Sequence, residues 1–172
     1  MTVHATTLNP PSRRLGRSAG AVALGFLAVF VLSLGTDQVL HVLKVYPPWG
    51  EAMSDPRLNA LALAYRCVYG VVGSYIMARF APSAPMRHVW IGAGIGFMLS
   101  AAGAIAAIQM KLGPAWYPIA LALSAWPTAW LGGTLACRAR SRSVARTENP
   151  STIIGARGGL VALFACAAAW SA

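Results

Sequence analysis

Long apolar stretches separated by short polar segments dominate the chain. Four of them are long enough to cross the hydrocarbon core of a bilayer as helices, which takes about 20 residues. They cover residues 19–43, 58–78, 89–110 and 116–137. None has the alternating polarity of a barrel strand, and only helices and closed barrels satisfy their backbone in lipid. The pattern therefore predicts an all-α integral membrane protein, a four-helix antiparallel bundle with short loops.

Residues that interrupt helices lie between the four stretches. The interruptions are Pro47 and Pro48, Asp55 and Pro56, Pro82 and Pro85, and Gly113 and Pro114. Composition supports the same class of protein, since 57% of the 172 residues are hydrophobic, 10% are charged and the mean hydropathy is +0.59. These values exclude an ordinary soluble domain.

The net charge of +10 has a pattern that indicates membrane orientation. The basic residues flank the apolar stretches instead of following one helix face, so we expect no nucleic-acid partner. One side of the predicted membrane collects Arg13, Arg14, Arg17, Arg79, Arg87, Arg138, Arg140, Arg142, Arg146 and Arg157, and the other side has Lys44, Arg57 and Lys111. Because cytoplasmic loops are enriched in Lys and Arg, the bias predicts a bacterial inner-membrane protein with both termini in the cytoplasm.

The two ends of the chain leave alternatives open. We predict a basic segment at residues 1–18, a basic linker at 138–157 and a short apolar segment at 158–172, which is interfacial or partly inserted. Its 15 residues are few for a span, and a fifth span would move the C-terminus outside. A signal peptide cleaved near Gly35 is the alternative for the first helix, but the apolar run continues to Leu43, as in a retained helix.

A polar cluster is predicted in the outer half of the first two helices. Its members are Asp37, Gln38 and His41 on the first helix, and Tyr65, Arg66 and Tyr69 on the second. At ~1.5 Å per residue, Asp37 and Arg66 both lie roughly 10–12 Å below the outer boundary, so they can pair. Ionisable groups at membrane depth are expensive, which makes this cluster the strongest functional candidate.

Two interpretations of the cluster stay open. The favoured one is an Asp37–Arg66 salt bridge that stabilises the helix pair, with His41 beside it. The alternative is a polar pocket that opens to the outer side and binds an anion, a lipid headgroup or a proton. The loop at residues 46–56, rich in proline and aromatic residues, is predicted to form an ordered cap that covers the hairpin of the first two helices, and a ligand lid is the alternative.

Small residues at helical spacing indicate close helix packing. They are Gly70 and Gly73 on the second helix, and Gly92, Gly96 and Ser100 on the third. Close backbone approach is the main source of helix attraction in lipid. The pattern favours packing within the bundle over a dedicated dimer interface, and a homo-oligomer stays open.

Catalytic and cofactor patterns are absent from the sequence. The four acidic residues and three histidines fall on different sides or depths of the predicted membrane, so no carboxylate pair or metal site can be assembled. We expect no metal, no cofactor and no enzymatic activity, and membrane lipids as the partners.

Several short motifs between residues 36 and 133 resemble a family of small uncharacterised bacterial four-helix membrane proteins. The motifs are Asp37 with His41, Pro47-Pro48-Trp49-Gly50, Tyr65-Arg66 with Tyr69-Gly70, Ala78-Arg79 with Ala81-Pro82, and Trp130-Leu131-Gly132-Gly133. The resemblance implies the four-helix fold and carries no activity. The chain is also similar in helix number to small multidrug transporters, but it lacks their membrane-embedded glutamate and has a stronger Lys/Arg bias.

These observations predict a non-enzymatic structural or accessory protein, or a binder of a small ligand or lipid through the outer hairpin. The alternative is a small oligomeric transporter that uses Asp37 and His41 for proton coupling. Few polar residues on the third and fourth helices are available to line a transport path, which makes the alternative weaker.

Overall fold

The computed structural model describes residues 11–148, with side chains for residues 16–144. Within this range the chain is all-helical, with four helices that pack together: α1 (Pro11–Val42), α2 (Pro56–Phe80), α3 (Pro85–Gln109) and α4 (Trp116–Glu148). Each contains a segment that is long and apolar enough to cross a membrane. The predicted all-α fold with four long apolar helices is thus confirmed.

Local sequence determines where α2 and α3 begin. Both start at a proline, which lacks the N–H group that would otherwise be unpaired in the first turn. Asp55 precedes α2, and its carboxylate accepts a hydrogen bond from the Arg57 amide at 2.8 Å. The bounds of α2 and α3 therefore fall close to the predicted ones.

The helices α1 and α4 are longer than predicted. Residues 11–18 of the predicted N-terminal segment belong to α1, and residues 138–148 of the predicted linker belong to α4. Hydropathy marks only the apolar part of a helix, whereas arginine and alanine allow the helix to continue into polar surroundings. Residues 1–10 and 149–172 lie outside the described range, and with them the predicted apolar segment 158–172.

The helix α2 occupies the centre of the arrangement. It packs extensively on α1 and α4, while α3 packs mainly on α4 and makes a small contact with α1. Late positions of α1 meet early positions of α2, since Asp37 contacts Arg66 and Gly25 faces Met77.

Two ends of the bundle can be distinguished by their loops. Loops 43–55 and 110–115 meet at the paired-loop end, where the Met53 amide donates to the Leu112 carbonyl at 2.9 Å. Loop 81–84 lies at the opposite, single-loop end. There Arg140 of α4 donates to the carbonyls of Arg79 and Ala81 at 3.4 Å each. This cation faces the negative end of α2, which is a favourable position.

Small side chains form the core near the single-loop end. The buried cluster consists of Met77, Ala78, Val89, Ala93, Ala129 and Ala136. Because most of these side chains are methyl groups, the helix backbones approach closely, as is typical of helices that associate in lipid.

The glycines predicted to pack do face other helices. A methyl group added at Gly70 would lie 3.0 Å from the Thr128 hydroxyl of α4, and one at Gly96 would lie 3.5 Å from the Phe26 ring of α1. Ser100, named with them, is half-exposed. These glycines therefore contribute to packing within one chain.

Met77 fills the space that several glycines leave. A methyl group at Gly92 would lie 2.6 Å from its sulfur, and Gly25 and Gly73 face the same region where α1 crosses α2. The sequence did not single out every glycine at a helix contact; the additional ones are Gly25, Gly132 and Gly133.

Candidate polar cluster and adjacent cleft

An ion pair joins α1 to α2 near the paired-loop end. Arg66 Nη2 donates to Asp37 Oδ2 at 2.6 Å. The side chain of Asp37 is 10% exposed and that of Arg66 is 27% exposed. A pair this deeply buried is stable only when its remaining polar atoms are also hydrogen-bonded.

Tyrosines from three parts of the chain supply those hydrogen bonds. The Tyr65 hydroxyl donates to Asp37 Oδ1, and Arg66 Nη1 donates to the Tyr117 hydroxyl. Tyr46 in turn donates to the Tyr65 hydroxyl at 3.4 Å. The polar cluster is hereafter defined as these five residues, and it connects α1, α2, α4 and loop 43–55.

Each side chain of the cluster has a hydrogen-bond partner within it. Both carboxylate oxygens of Asp37 accept a bond, and Arg66 donates to two partners. Among the side chains that the structure describes, no buried nitrogen or oxygen lacks a hydrogen bond. The geometry therefore matches a structural connection between helices better than an open binding pocket.

Three of the predicted members, Gln38, Tyr69 and His41, lie outside the cluster. Gln38 is exposed, because consecutive residues of a helix point about 100° apart and Asp37 already faces α2. Tyr69 instead shares a hydrogen bond with the Thr36 hydroxyl at 2.7 Å, one residue from Asp37. Thr36 and Tyr69 thus form a second, smaller link between α1 and α2.

His41 contacts the loop and not the Asp37 carboxylate. Its Nδ1 lies 2.7 Å from the main-chain oxygen of Asp37. The ring stacks on Trp49 with centroids 3.9 Å apart and planes 3° from parallel, and it meets the edge of Tyr46. His41 therefore helps to position loop 43–55.

Asn59 fixes the other side of this loop. It is 2% exposed, and its side-chain amide donates to the carbonyls of Met53 at 2.8 Å and Asp55 at 2.9 Å. The sequence analysis did not identify Asn59, although an asparagine in the first turn after a proline-rich loop is well placed to bind that loop. These bonds hold loop 43–55, hereafter called the cap, against the start of α2.

An open cleft of about 690 Å³ lies within the cap. It is lined by His41, Lys44, Val45, Tyr46, Pro47, Pro48, Trp49, Ala52, Met53, Ser54, Asp55 and Leu58. Most of the lining is apolar, and its polar residues include Lys44. The lining contains two opposite charges, those of Lys44 and Asp55, and the Asp55 carboxylate also accepts a hydrogen bond from the Arg57 amide at the start of α2.

Tyr46 and Tyr117 belong to the cluster, although the sequence analysis did not name them as members. Both lie close to a helix end, where amphipathic rings commonly meet the membrane boundary. Tyr117 lies in the first turn of α4, at the same level as Arg66. The residue count that places Arg66 roughly 10–12 Å below the outer boundary therefore gave no indication that the Tyr117 hydroxyl reaches the guanidinium.

Within residues 16–144, no group of three or more His, Cys, Asp or Glu side chains is arranged to hold a metal ion. Comparison of the chain with protein families, curated proteins and solved structures gives no match. The resemblance to a family of small four-helix membrane proteins therefore stays a prediction.

Proposed function

We propose that the chain is a multi-pass, antiparallel four-helix protein of the bacterial inner membrane with both termini in the cytoplasm. The Lys/Arg bias supports this orientation, which places the paired-loop end outside. The pairings of Gly25 with Met77 and of Asp37 with Arg66 support opposite directions for α1 and α2.

In this membrane we propose a non-enzymatic accessory role: the outer cap binds a small ligand that carries a phosphate group, in the first place a lipid headgroup. The observation that carries the proposal is the cleft, which is open, mostly apolar and lined by Lys44 and the stacked rings of His41 and Trp49. Lysine is a common phosphate ligand, and aromatic rings suit the headgroup layer.

The polar cluster has a supporting role in this proposal. Tyr46 lines the cleft and donates a hydrogen bond to Tyr65, which in turn holds Asp37. The floor of the cleft is therefore fixed before a ligand arrives, and preorganisation lowers the entropy lost on binding.

A proton-coupled transporter receives less support from the geometry. Coupling would require Asp37 to exchange protons, but Tyr65 and Arg66 hold its two carboxylate oxygens. His41 hydrogen-bonds a main-chain oxygen instead of this carboxylate.

Native mass spectrometry of the purified protein tests the proposed ligand. The probes are a short-chain phosphatidylglycerol and inorganic phosphate. Lys44→Gln should weaken lipid binding about 10-fold or more, since a hydrogen bond to a charged group contributes about 1.5–3 kcal/mol. Lys111→Gln is the matched control, because Lys111 is also an exposed lysine with a positive φ next to a loop of the same end, but does not line the cleft.

Equal binding by wild type, Lys44→Gln and Lys111→Gln would overturn the assignment of the cleft. Displacement of the lipid by inorganic phosphate would show that the phosphate group alone is recognised. Failure of phosphate to compete would show that the acyl chains contribute as well, and would support a lipid as the ligand.

A further inference from the structure

Gln38 has no role in the polar cluster and faces away from the other helices. It is exposed, and no described group forms a hydrogen bond with its amide. It lies four residues before the end of α1 at Val42, about 6 Å along the helix axis. A primary amide in contact with lipid is costly unless a partner satisfies it.

The residues in line with Gln38 form a regular apolar face. The α1 heptad face consists of Gly20, Leu24, Leu27, Val31, Leu34 and Gln38, spaced alternately by four and three residues. All six are exposed, with Leu27 at 57% and Val31 at 58%. This spacing is that of helices that pack with knobs in holes.

The opposite side of α1 is the one that packs within the chain. Gly25 and Val29 face α2, and Phe26 lies against Gly96 of α3. Only 11% of the most apolar window of α1 is buried, compared with 33% for α4. The helix α1 therefore lies at the edge of the bundle with its heptad face unpartnered.

We propose that this face binds the same face of a second copy of the chain, so that the protein is a parallel α1–α1 dimer. A two-fold axis along the membrane normal brings each residue of the face next to its own copy. Gln38 is self-complementary in such a pair, because its amide has both a donor and an acceptor group. At Gly20 an added methyl group would meet nothing within 4 Å, so this position allows close approach of a partner backbone.

Parallel pairing rests on the single membrane orientation proposed above. A lone polar residue in a heptad face commonly determines register and the number of strands, which is the role we assign to Gln38. Arg17 lies at the other end of the exposed part of α1, where anionic headgroups would reduce the repulsion between its two copies.

The helix α3 gives a natural control. It also carries an exposed glycine with open space, Gly103, and an exposed amide, Gln109. Gln109 is the last residue of α3, where water is within reach, so its amide does not require a protein partner. The same two substitutions can therefore be made on a helix for which no dimer is proposed.

Single-molecule photobleaching of the full chain, labelled at an N-terminal tag and reconstituted in vesicles, measures the dimer equilibrium. Gln38→Leu should weaken dimerisation about 3- to 30-fold, which corresponds to roughly 0.6–2 kcal/mol for a hydrogen bond between membrane helices. Gly20→Ile should weaken it further by separating the backbones. Gln109→Leu and Gly103→Ile should leave it unchanged.

A monomer at every protein-to-lipid ratio would overturn the proposal. So would a dimer that responds to the α3 substitutions and not to those of α1. Thermal unfolding of the four variants shows that each is folded before its dimer equilibrium is compared. Lipid binding through Lys44 is measured separately, so failure of the dimer and failure of the cleft proposal give different results.

Discussion

The two ends of the bundle use different chemistry to hold helices together. At the paired-loop end, Asp37 and Arg66 link α1 and α2 through an ion pair, and Tyr117 adds α4. Toward the single-loop end, α2 and α4 approach through Gly132, where a methyl group would meet the main chain of α2.

The difference determines which kind of change each end tolerates. A hydrogen-bonded ion pair loses stability when atoms are removed, because the remaining charge is buried without a partner. A contact through glycine loses stability when an atom is added, because backbone cannot move aside cheaply. Substitutions that remove atoms should therefore destabilise the paired-loop end, and substitutions that add atoms should destabilise the single-loop end.

The largest effect is expected from Arg66→Ala. The substitution leaves the buried Asp37 carboxylate without its cation, which typically costs about 3–5 kcal/mol. Thermal or denaturant unfolding in detergent should show this loss. Arg57→Ala is the control at the same end, since Arg57 is exposed and its substitution should change stability by less than about 0.5 kcal/mol.

The double variant Asp37→Leu/Arg66→Met tests the cause of that loss. Both charges are then replaced by apolar groups, and such replacements are often neutral or stabilising. The double variant should therefore unfold at a higher temperature than Arg66→Ala. If Arg66→Ala unfolds like wild type, the ion pair does not stabilise the paired-loop end.

Sequence alone located the ion pair because membrane helices contain few charges. Arg66 has few acidic candidates at its depth, and counting residues from the loop leads to Asp37. The same count gives the depth of a side chain in the membrane, but not the direction in which it points around the helix axis. It therefore missed Tyr117 as a partner and included Gln38, which a rotation of about 100° per residue takes off the face of Asp37.

The glycine contacts were less predictable than the charges. Many glycines occur in the chain, and spacing alone does not show which helix each one meets. Gly70 meets α4, whereas Gly73, three positions later, meets α1. The pairing depends on how α2 is rotated between its two neighbours, which follows from the packed structure as a whole.

An intermediate effect is expected from Gly132→Ala. The added methyl group would lie 2.8 Å from Ser74 Cβ and 2.9 Å from the Tyr75 nitrogen. Overpacking of this kind typically costs about 1–3 kcal/mol. Gly103→Ala is the matched control, because its methyl group meets nothing within 4 Å and alanine favours the helix by about 1 kcal/mol.

Unfolding in detergent should therefore show that Gly132→Ala is less stable than wild type and that Gly103→Ala is more stable. Loss of stability in both would indicate that glycine is required at Gly103 for another reason, such as contact with a partner on α3. If Gly132→Ala is as stable as Gly103→Ala, α2 and α4 do not approach closely at Gly132.

The smallest effect is expected in the loop of the single-loop end, at Ala84. Its φ of 41° and ψ of 67° place it in the left-handed region, and it makes no side-chain hydrogen bond at the start of α3. Left-handed backbone costs a non-glycine residue about 1–2 kcal/mol, and glycine loses about 0.5–1 kcal/mol in chain entropy on folding. Ala84→Gly should therefore raise stability by on the order of 0.5 kcal/mol, because the first cost exceeds the second.

Ala139→Gly makes the same chemical change where the backbone is helical. Ala139 is exposed within α4, so glycine there should lower stability by about 1 kcal/mol. Opposite signs in the two variants, measured by unfolding under one set of conditions, would attribute the gain at Ala84 to its backbone conformation. A loss of stability of similar size in both variants would mean that the backbone of Ala84 is not left-handed. Glycine would then lower the stability at both positions by increasing the chain entropy lost on folding.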